Sequence, residues 1–419
     1  MRRKVVEYVS QSSRYSILLI VYIKLFCYIC AMDFIEQNMP KKGDTVVVGL
    51  SGGVDSTLTA LLLKQKGCNV IGVTMSLWDG KLPDLPEGKT LHDSCYGPGE
   101  QEDIKECEAF CKEQGIEYHV IDVKDTYRKE VLDYFKAEYR AGRTPNPCIR
   151  CNRYIKFGAL QLGIQQLNIK YDYFCTGHYA KIVRPQNGLY GTDKKPCMIH
   201  TAMDQSKDQT YFIYRVPSEI LEKVRFPLAN TPKKQVFQLA REYNLKAAER
   251  KESQDFIPPE YFDLLFSDKP GIPGDIIDLD GHVLGKHRGI EHYTVGQRRG
   301  LGVSSTKPLY VHSIDAVNNL VVLADNDDLF SSGLIADDFV WPGNVEPKEK
   351  ITTFVKIRLA SKPVECTVEP YTPKEDENFV GKAWKIMFSQ PQRAVSPGQS
   401  AVLYDNGLCI GGGIISKTL

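Results

Sequence analysis

Apolar and polar positions follow two periods over the first half of the chain. Short β-branched runs, such as "TVVVGL" (45–50) and "NVIGVTMSL" (69–77), alternate with segments of helical periodicity that close on a glycine, such as "TLTALLLKQKG" (57–67). Buried strands that alternate with helices predict an α/β domain with a doubly wound parallel sheet. Ligands of such sheets bind at the carboxyl ends of the strands, so we expect the chemistry in the loops that follow them.

The pattern changes twice further along the chain. Residues 216–288 are charged and helical in their periodicity, whereas short alternating runs such as 308–325 are separated by Asn, Asp, Pro and Gly turns. Alternation with frequent turns predicts antiparallel β-structure. We therefore predict a nucleotide-binding α/β domain over 41–215, a small helical middle domain over 216–288 and an antiparallel β-barrel over 289–419.

The first 40 residues have a different character. Basic residues precede an apolar run from Tyr15 to Met32. Such a run is compatible with a signal peptide or a membrane anchor. The other interpretation is a non-functional extension or mis-assigned start upstream of a true start at Met32 or Met39, because folded-domain patterning begins only at Thr45. Residues 1–40 are therefore left out of the fold prediction.

Composition narrows the class of protein. The 419 residues are 42% hydrophobic and 25% charged, with a formal net charge of +1, so a nucleic-acid partner would have to meet local basic patches. The twelve cysteines are scattered rather than regularly spaced. This usage argues against a secreted disulfide framework and favours a reducing compartment. We expect a cytoplasmic monomer that does not act at a membrane.

The stretch "GLSGGVDST" (49–57) joins the first strand to the first helix. Its three glycines let the backbone approach a ligand, and the following helix offers unpaired N–H groups, an arrangement suited to pyrophosphate. No Lys is present to reach a γ-phosphate, so the loop fits chemistry that keeps AMP on the substrate. Asp55 is expected to orient the loop or to hold Mg²⁺. The predicted nucleotide-binding residues are Gly49, Leu50, Ser51, Gly52, Gly53, Val54, Asp55 and Ser56.

The S-G-G-x-D-S pattern resembles the loop of the PP-loop ATP pyrophosphatases, whose members differ in what attacks an adenylated intermediate. Further stretches narrow the resemblance to the tRNA-specific 2-thiouridylases, and it covers the chain from Thr45 to its end. These stretches are "AGRTPNPCIRCNRYIKFGAL" (141–160), "TGHYA" (176–180), "DQSKDQTYF" (204–212), "TVGQRRGLG" (294–302) and "VSPGQSAVLY" (395–404).

The resemblance implies an activity and a set of site residues. The family uses ATP and Mg²⁺ to adenylate the C2 oxygen of the wobble uridine in tRNA, and sulfur from a persulfide-carrying protein or sulfide then gives 2-thiouridine. By this resemblance Cys151 is the nucleophile, Met75 and Gly177 lie at the ATP, and 216–288 binds tRNA. The implied tRNA contacts are Asn146, Pro147, Cys148, His178, Lys207, Asp208, Gln209, Arg358 and Gln399. Leu359 stands where the family has a Tyr after the Arg, which weakens the Arg358 assignment.

The thiols Cys148 and Cys151 suit sulfur chemistry, because a thiolate attacks or relays a persulfide. The sequence surrounds them with basic residues, which would favour the thiolate: Arg143, Arg150, Arg153 and Lys156. A C-x-x-C pair is also compatible with half of a structural zinc site. A third interpretation is a [4Fe–4S] cluster held by Cys148, Cys151 and one distant Cys.

The chain departs from the family at the second thiol. The family carries a later Cys in a stretch resembling S-Q-D-I-C-F, whereas "ESQDFIP" (252–258) has none. Sulfur is then carried by Cys148 and Cys151 alone, or Cys175 or Cys197 substitutes for the absent thiol. Two other functions stay open: a non-catalytic tRNA-binding paralogue, and another AMP-forming ligase of the PP-loop class.

Overall fold

The computed structural model describes residues 34–80, 94–249, 256–258, 261–375 and 377–419. Most of the predicted N-terminal extension, and 252–255 of the stretch that lacks the second Cys, lie outside the described residues. Within the described part of the chain, no helix is long and apolar enough to cross a membrane.

A five-stranded, all-parallel sheet forms the centre of the first domain, as predicted from the buried runs. Its strands, from one edge to the other, are Glu117–Asp122, Asn69–Ser76, Thr45–Gly49, Tyr173–Cys175 and Val224–Arg225. Val46, Val47 and Val48 in the central strand are fully buried because helices cover both faces of the sheet. The carboxyl ends of the strands therefore meet at one edge.

Helices connect these strands and flank the sheet. Two regular helices are Val54–Gln65 and Glu100–Gln114. Two longer helical segments each contain a stretch of wider, π-helical turns: Lys124–Tyr127, Arg128–Asp133 and Tyr134–Arg140 form the first, and Pro147–Arg150, Cys151–Ala159 and Leu160–Gln166 form the second. π-helical turns recur at functional sites, and here one begins at Cys151.

A closed antiparallel barrel forms the C-terminal domain, as predicted. Its six strands are Phe330–Val340, Ile351–Lys356, Val364–Tyr371, Ala383–Arg393, Ser400–Asp405 and Leu408–Thr418, and pairing of the last two closes it. Apolar residues of alternate positions, with Trp384 among them, fill its interior. Closure removes the exposed strand edges that an open sheet would leave.

Three strands from the N-terminal half extend the barrel sheet: Phe34–Glu36, Ala180–Pro185 and Met198–Thr201. The connection to the barrel is made where Cys409 pairs with Ile199. The strand Phe34–Glu36 corrects the prediction that residues up to 40 stand outside the fold. It is held by antiparallel pairing, and the Asn38 carbonyl accepts a hydrogen bond from Arg225 at 2.7 Å.

The middle of the chain combines short helices with a small sheet. Its helices are Thr210–Ile213, Ser218–Leu221, Lys233–Glu242 and Phe262–Leu265, and its four-stranded sheet comprises Gly274–Ile277, Val283–His287, Tyr310–Asp315 and Leu320–Ala324. The strands within 308–325, predicted as part of the barrel, thus lie in this separate sheet. They pair with Gly274–Ile277 because Val311, Val321 and Ile276 share a small core of their own. Single 3₁₀ turns occur at Leu189–Gly191, Lys246–Glu249, Ile290–His292, Asp327–Leu329 and Pro342–Asn344.

Candidate active site

The glycine-rich loop folds tightly between its strand and helix. Gly52 has a φ of +76°, a left-handed conformation that favours glycine. The Ser51 amide donates to the Ser56 hydroxyl at 3.2 Å, and that hydroxyl donates to the Gly53 carbonyl at 3.0 Å. The loop is therefore held in shape by its own hydroxyl groups before any ligand binds.

A cavity opens at the carboxyl edge of the sheet, directly above this loop. Five of the predicted loop residues line it: Gly49, Leu50, Ser51, Asp55 and Ser56. Gly52, Gly53 and Val54 shape the turn instead. Predicted residues Met75 and Gly177 also line the cavity, together with Val73, Phe174, Thr176 and Leu160, which the sequence did not single out. A polar floor with apolar walls suits the phosphates and the base of a nucleotide.

Gly177 lies against the backbone of the loop. A Cβ atom at this position would be 2.7 Å from the Asp55 carbonyl carbon and 2.8 Å from the Ser56 nitrogen. Real Cβ atoms do not approach backbone this closely, so only glycine fits without displacing the loop. The Thr-Gly-His turn and the glycine-rich loop are thereby packed into one unit.

Asp55 is held by two side chains from other parts of the chain. Lys233, at the start of helix Lys233–Glu242, places its Nζ 2.7 Å from both carboxylate oxygens, and the Tyr179 hydroxyl donates to Oδ1 at 2.8 Å. The Lys233 side chain is only 8% exposed. Lys233 and Tyr179 therefore hold the Asp55 carboxylate in place beside the loop.

The loop has no Lys of its own, but tertiary structure brings two lysines to it. Lys233 pairs with Asp55, and Lys156, from the helix that carries the C-x-x-C pair, lines the cavity. Neither could be assigned to the nucleotide from loop spacing alone, since each is about 100 or more positions away along the chain. A usable signal was available for Lys156, because it follows Cys151 within the same family-like stretch.

His178 lies inside the cavity wall rather than on an exposed loop. Its ring is between Phe157 and Phe226, and its Nδ1 is 2.7 Å from the Thr176 hydroxyl. Burial, with a smaller contribution from Lys156, holds the pKa of His178 well below its usual value. The imidazole is therefore neutral at physiological pH and offers a hydrogen-bonding group, not a positive charge.

The helix that carries the thiols begins at Asn146. The Asn146 side chain accepts a hydrogen bond from the Ile149 amide at 3.2 Å, and Pro147 occupies the first helical position, where its missing N–H costs nothing. Gln399 of the barrel reaches the loop just before this start and donates to the Thr144 and Pro145 carbonyls. The local cap at Asn146 and the distant Gln399 thus both fix where Cys148 lies.

Two of the basic residues predicted to favour the Cys151 thiolate pair with carboxylates instead. Arg143 pairs with Glu138, and Arg150 pairs with Glu130 while lying over the ring of Tyr154. Lys156 alone of the four predicted cations lowers the pKa of Cys151, and burial outweighs it and raises that pKa to about 12. Burial therefore outweighs the one predicted cation that favours the thiolate, and carboxylates engage Arg143 and Arg150.

Neither of the thiols predicted to replace the absent second Cys lies at the site. Cys175 is fully buried and packs with Val46 and Val48, on the face of the sheet opposite Phe174 in the cavity. Cys197 is also fully buried in the core. Strand alternation explains the error, because consecutive residues of a strand point to opposite faces.

A third thiol at the site, Cys95, was missed by the sequence analysis. Cys95 is exposed, and its neighbour Tyr96 belongs to the buried cluster against which Cys151 packs. The sequence signal that could have identified Cys95 was its position after the strand Asn69–Ser76, because the segment that follows this strand reaches the carboxyl edge of the sheet. In the part of the chain that the structure describes, the group of potential metal ligands that lie close together is Asp278, Asp280 and His282, which contains no thiol.

The residues predicted to contact tRNA lie in different environments. Lys207 is exposed. The Asp208 carboxylate accepts from the Ala202 amide and the Thr210 hydroxyl, and Gln209 lines the nucleotide cavity. The Arg358 guanidinium donates to the Val295 and Ala394 carbonyls and to the Ser396 hydroxyl, and so ties the barrel to the segment after the middle helices.

A phosphate-gripping loop over a parallel sheet, with a cysteine-bearing helix lining the same cavity, defines a nucleotide-dependent enzyme of the PP-loop class. Three family models match successive segments of the chain. They match the "tRNA methyl transferase HUP domain" over 44–258, the "tRNA methyl transferase PRC-barrel domain" over 265–325 and the "Aminomethyltransferase beta-barrel domain" over 331–415.

Curated relatives are similar over nearly their whole length. The tRNA-specific 2-thiouridylase MnmA of Endomicrobium trichonymphae is 43% identical over 374 residues, which cover 88% of this chain and 98% of the relative. The enzyme of the same name from Carboxydothermus hydrogenoformans is 39% identical over 383 residues, which cover 89% of this chain and 98% of the relative. The chain belongs to the tRNA-specific 2-thiouridylase family.

Solved structures give only a partial likeness. The U34-tRNA thiolase NcsA from Methanococcus maripaludis, solved with its [4Fe-4S] cluster, is 20% identical with a TM-score of 0.29, and covers 49% of this chain and 59% of its own. A 4-thiouridine synthetase–RNA complex with bound ATP is 14% identical with a TM-score of 0.31, and covers 52% of this chain and 46% of its own. Likenesses at this level carry no argument about ligands of this protein.

Proposed function

We propose that this chain is an ATP-dependent tRNA-uridine 2-sulfurtransferase. It would adenylate the C2 oxygen of the wobble uridine and replace that oxygen with sulfur, giving 2-thiouridine, AMP and pyrophosphate. The observation that carries the proposal is a shared cavity: Lys156, on the helix of Cys151, lines the same space as Ser51 and Ser56 of the phosphate loop. The helix that carries the thiols therefore borders the proposed nucleotide site.

The activation step belongs to the loop. The C2 oxygen attacks the α-phosphorus of ATP, and the bond to pyrophosphate breaks. Amides of the loop and the N-terminus of helix Val54–Gln65 would hold the departing pyrophosphate, and Lys156 would offset its charge. Mg²⁺ would enter with the nucleotide phosphates, its preferred ligands, since Asp55 is paired with Lys233.

The sulfur step belongs to the cysteine helix. A uracil C2 carbonyl is a poor electrophile, and adenylation converts its oxygen into a leaving group. Cys151 is proposed as the nucleophilic thiol, with Cys148, Asn146 and Pro147 beside the target base. Burial raises the pKa of the Cys151 thiol, and Lys156 is the cation placed to favour loss of its proton.

The tRNA would reach this cavity from the side of the barrel. Lys207, Asp208, Gln209, His178, Arg358 and Gln399 are proposed to contact it or to shape the surface that it meets. For Arg358 and Gln399 the internal hydrogen bonds support the second role, because their donors already hold backbone carbonyls. A single chain contains all of these residues, which supports a monomer. None of the ten cysteines in the described part of the chain forms a disulfide, which suits the reducing cytoplasm.

The sulfur donor is proposed to be a persulfide-carrying protein or sulfide. The alternative is a [4Fe–4S] cluster held by Cys148 and Cys151, which lie one helical turn apart, and one further thiol. The cluster would supply an iron able to bind sulfide. The steps assigned above to the loop, Lys156 and Cys151 do not depend on it.

The test is thiolation by purified protein. The full-length chain is incubated without oxygen with tRNA, ATP, Mg²⁺ and either a persulfide donor or sulfide, and 2-thiouridine and AMP are quantified. We expect both products, and Cys151→Ser should lose the 2-thiouridine formed from the persulfide donor, whereas Cys366→Ser, a control in the barrel core, should keep it. Tight tRNA binding without AMP would favour the non-catalytic paralogue. AMP formation without thiolation from any donor would favour another AMP-forming ligase.

A further inference from the structure

The segment around Cys95 packs directly on the stretch where relatives carry their second thiol. The Tyr96 amide donates to the Phe256 carbonyl at 3.0 Å, and a Cβ at Gly97 would contact Pro258 at 3.7 Å. Phe256 and Pro258 belong to "ESQDFIP", where the family-like Cys is absent. Cys95 therefore lies beside the place from which that thiol is missing.

Cys95 also belongs to the surroundings of the other two thiols. Tyr127 is fully buried, and its ring stacks on Tyr96 with 5.3 Å between ring centroids. Tyr96 and Tyr127 belong to one buried cluster, and both Cys151 and Phe256 pack against it. The residue next to Cys95 thus shares this cluster with the thiol helix.

These three thiols differ in their exposure to solvent. Cys95 is exposed, whereas Cys148 and Cys151 are partly buried. A protein that donates sulfur must be able to reach the thiol to which it transfers the sulfur atom. A thiol that cleaves the disulfide between the enzyme and the uridine is best placed next to the substrate. Cys95 is therefore placed to receive sulfur, and Cys151 to complete the transfer.

We propose that Cys95 is the second catalytic thiol of this protein and carries the persulfide that relatives carry on the absent Cys. This inference rests on the proposed function and adds a residue to it. Cys175 and Cys197 cannot take this role in the observed fold, since both are fully buried in the core.

The transfer balances in two steps. The terminal sulfur of the Cys95 persulfide attacks C2 of the adenylated uridine, a C–S bond forms, AMP leaves with the former C2 oxygen and the persulfide proton is released. The Cys151 thiolate then attacks the Cys95 sulfur of the resulting disulfide, which forms a Cys95–Cys151 disulfide and releases 2-thiouridine. The thiol pair is oxidised by two electrons, so an external thiol reductant must restore it before the next turnover.

The experiment compares Cys95→Ser, Cys151→Ser and the control Cys68→Ser in the full-length protein. Cys68 is a buried thiol at the opposite end of the sheet, just before strand Asn69–Ser76. Each variant receives tRNA, ATP and Mg²⁺ with either a persulfide donor or excess sulfide. AMP, 2-thiouridine and protein-bound iron are measured, and disulfides are mapped by peptide mass spectrometry after one turnover without reductant.

We expect Cys95→Ser to form AMP at the wild-type rate but to lose thiolation from the persulfide donor by about 100-fold or more. Excess sulfide should restore its thiolation, because sulfide can attack C2 without a persulfide carrier. The wild type should yield a Cys95–Cys151 disulfide, and Cys68→Ser should behave as the wild type does.

Two results would overturn the assignment while leaving the proposed function intact. Wild-type thiolation in Cys95→Ser, with a Cys148–Cys151 disulfide in the native protein, would assign the relay to the C-x-x-C pair. Loss of bound iron in Cys95→Ser, with no disulfide after turnover in the wild type, would make Cys95 a cluster ligand. Absence of AMP and 2-thiouridine in the wild type would instead refute the proposed function itself.

Discussion

Gln399 of the barrel donates its side-chain amide to the carbonyl oxygen of Thr144 at 3.0 Å, across 255 positions of sequence. The Thr144 amide in turn donates to the Pro397 carbonyl at 2.8 Å. These bonds hold the loop that leads into Asn146 and Cys148. The barrel therefore positions the thiol helix and is part of the site, although it contributes no residue to the nucleotide cavity described above.

Gln399→Ala should misplace the start of the thiol helix more than it unfolds the protein. Two carbonyls lose their donor, which we expect to cost about 1 kcal/mol of stability. Thiolation should fall further than ATP binding, measured by 2-thiouridine formation and by nucleotide titration. Gln392→Ala is the matched control, because Gln392 bonds to the neighbouring carbonyls of Gln390 and Pro391. Equal effects of the two variants would argue against a positioning role.

Gly177→Ala should disrupt the phosphate loop. The added methyl would overlap the backbone between Asp55 and Ser56, which must move to admit it. We expect a loss of about 1–3 kcal/mol of stability and a fall in ATP affinity of about tenfold or more, measured by thermal unfolding and nucleotide titration. Gly99→Ala is the control, since a Cβ there meets nothing within 4 Å and its φ is −65°. ATP binding unchanged in Gly177→Ala would contradict the close packing.

Lys233→Met should weaken both the fold and nucleotide binding. Asp55 would keep its charge but lose its cationic partner, and since Asp55 is 29% exposed we expect a cost of about 2 kcal/mol. Adding Asp55→Asn to this variant should recover part of the loss, because the unpaired charge is then gone. The neighbouring, exposed Lys234→Met is the control. Strictly additive losses in the double variant would show that the pair is not coupled.

The reactivity of Cys151 should rise steeply with pH. Because its pKa is raised to about 12, its thiolate fraction grows about tenfold per pH unit from neutrality, whereas exposed Cys95 should alkylate first with iodoacetamide. Lys156→Met should slow Cys151 further, since Lys156 lowers that pKa, and exposed Lys170→Met should not. Peptide mass spectrometry over pH 7–9 follows both thiols, and a flat profile for Cys151 would contradict its burial.

The Cys151 thiol should also make the free energy of unfolding depend on pH in the alkaline range. Its ordinary pKa of 9.0 applies to the unfolded chain and the raised value to the folded one, so the folded state holds the proton more tightly. The stabilising effect is fully present below pH 9 and is lost as the pH rises towards 12. In denaturant titrations, the free energy of unfolding of Cys151→Ser should fall less over this pH interval than that of the wild type. Identical pH profiles of the two proteins would contradict a raised pKa of Cys151.

Much of the site was predictable because it follows from local sequence. The strand, the glycine-rich loop and the helix after it form one short segment, so its conformation is set by neighbouring residues such as Gly52. Asn146 and Pro147 fix the start of the thiol helix in the same way. Lys233, Cys95 and Gln399 are different, because their roles depend on which distant segments meet, and Gln399 was assigned only through family resemblance.

By itself the sequence determined the fold class, the phosphate loop and the pair of thiols. Each of these depends on a few neighbouring residues, through hydrophobic periodicity, the conformational freedom of glycine or the cap of a helix. The tertiary structure decided the electrostatic state of those groups. It paired Arg143 and Arg150 with carboxylates, neutralised Asp55 with Lys233, and buried Cys175 and Cys197 away from the site. The physical reason is that burial and charge pairing act through space, and chain positions far apart become neighbours only once the chain has folded.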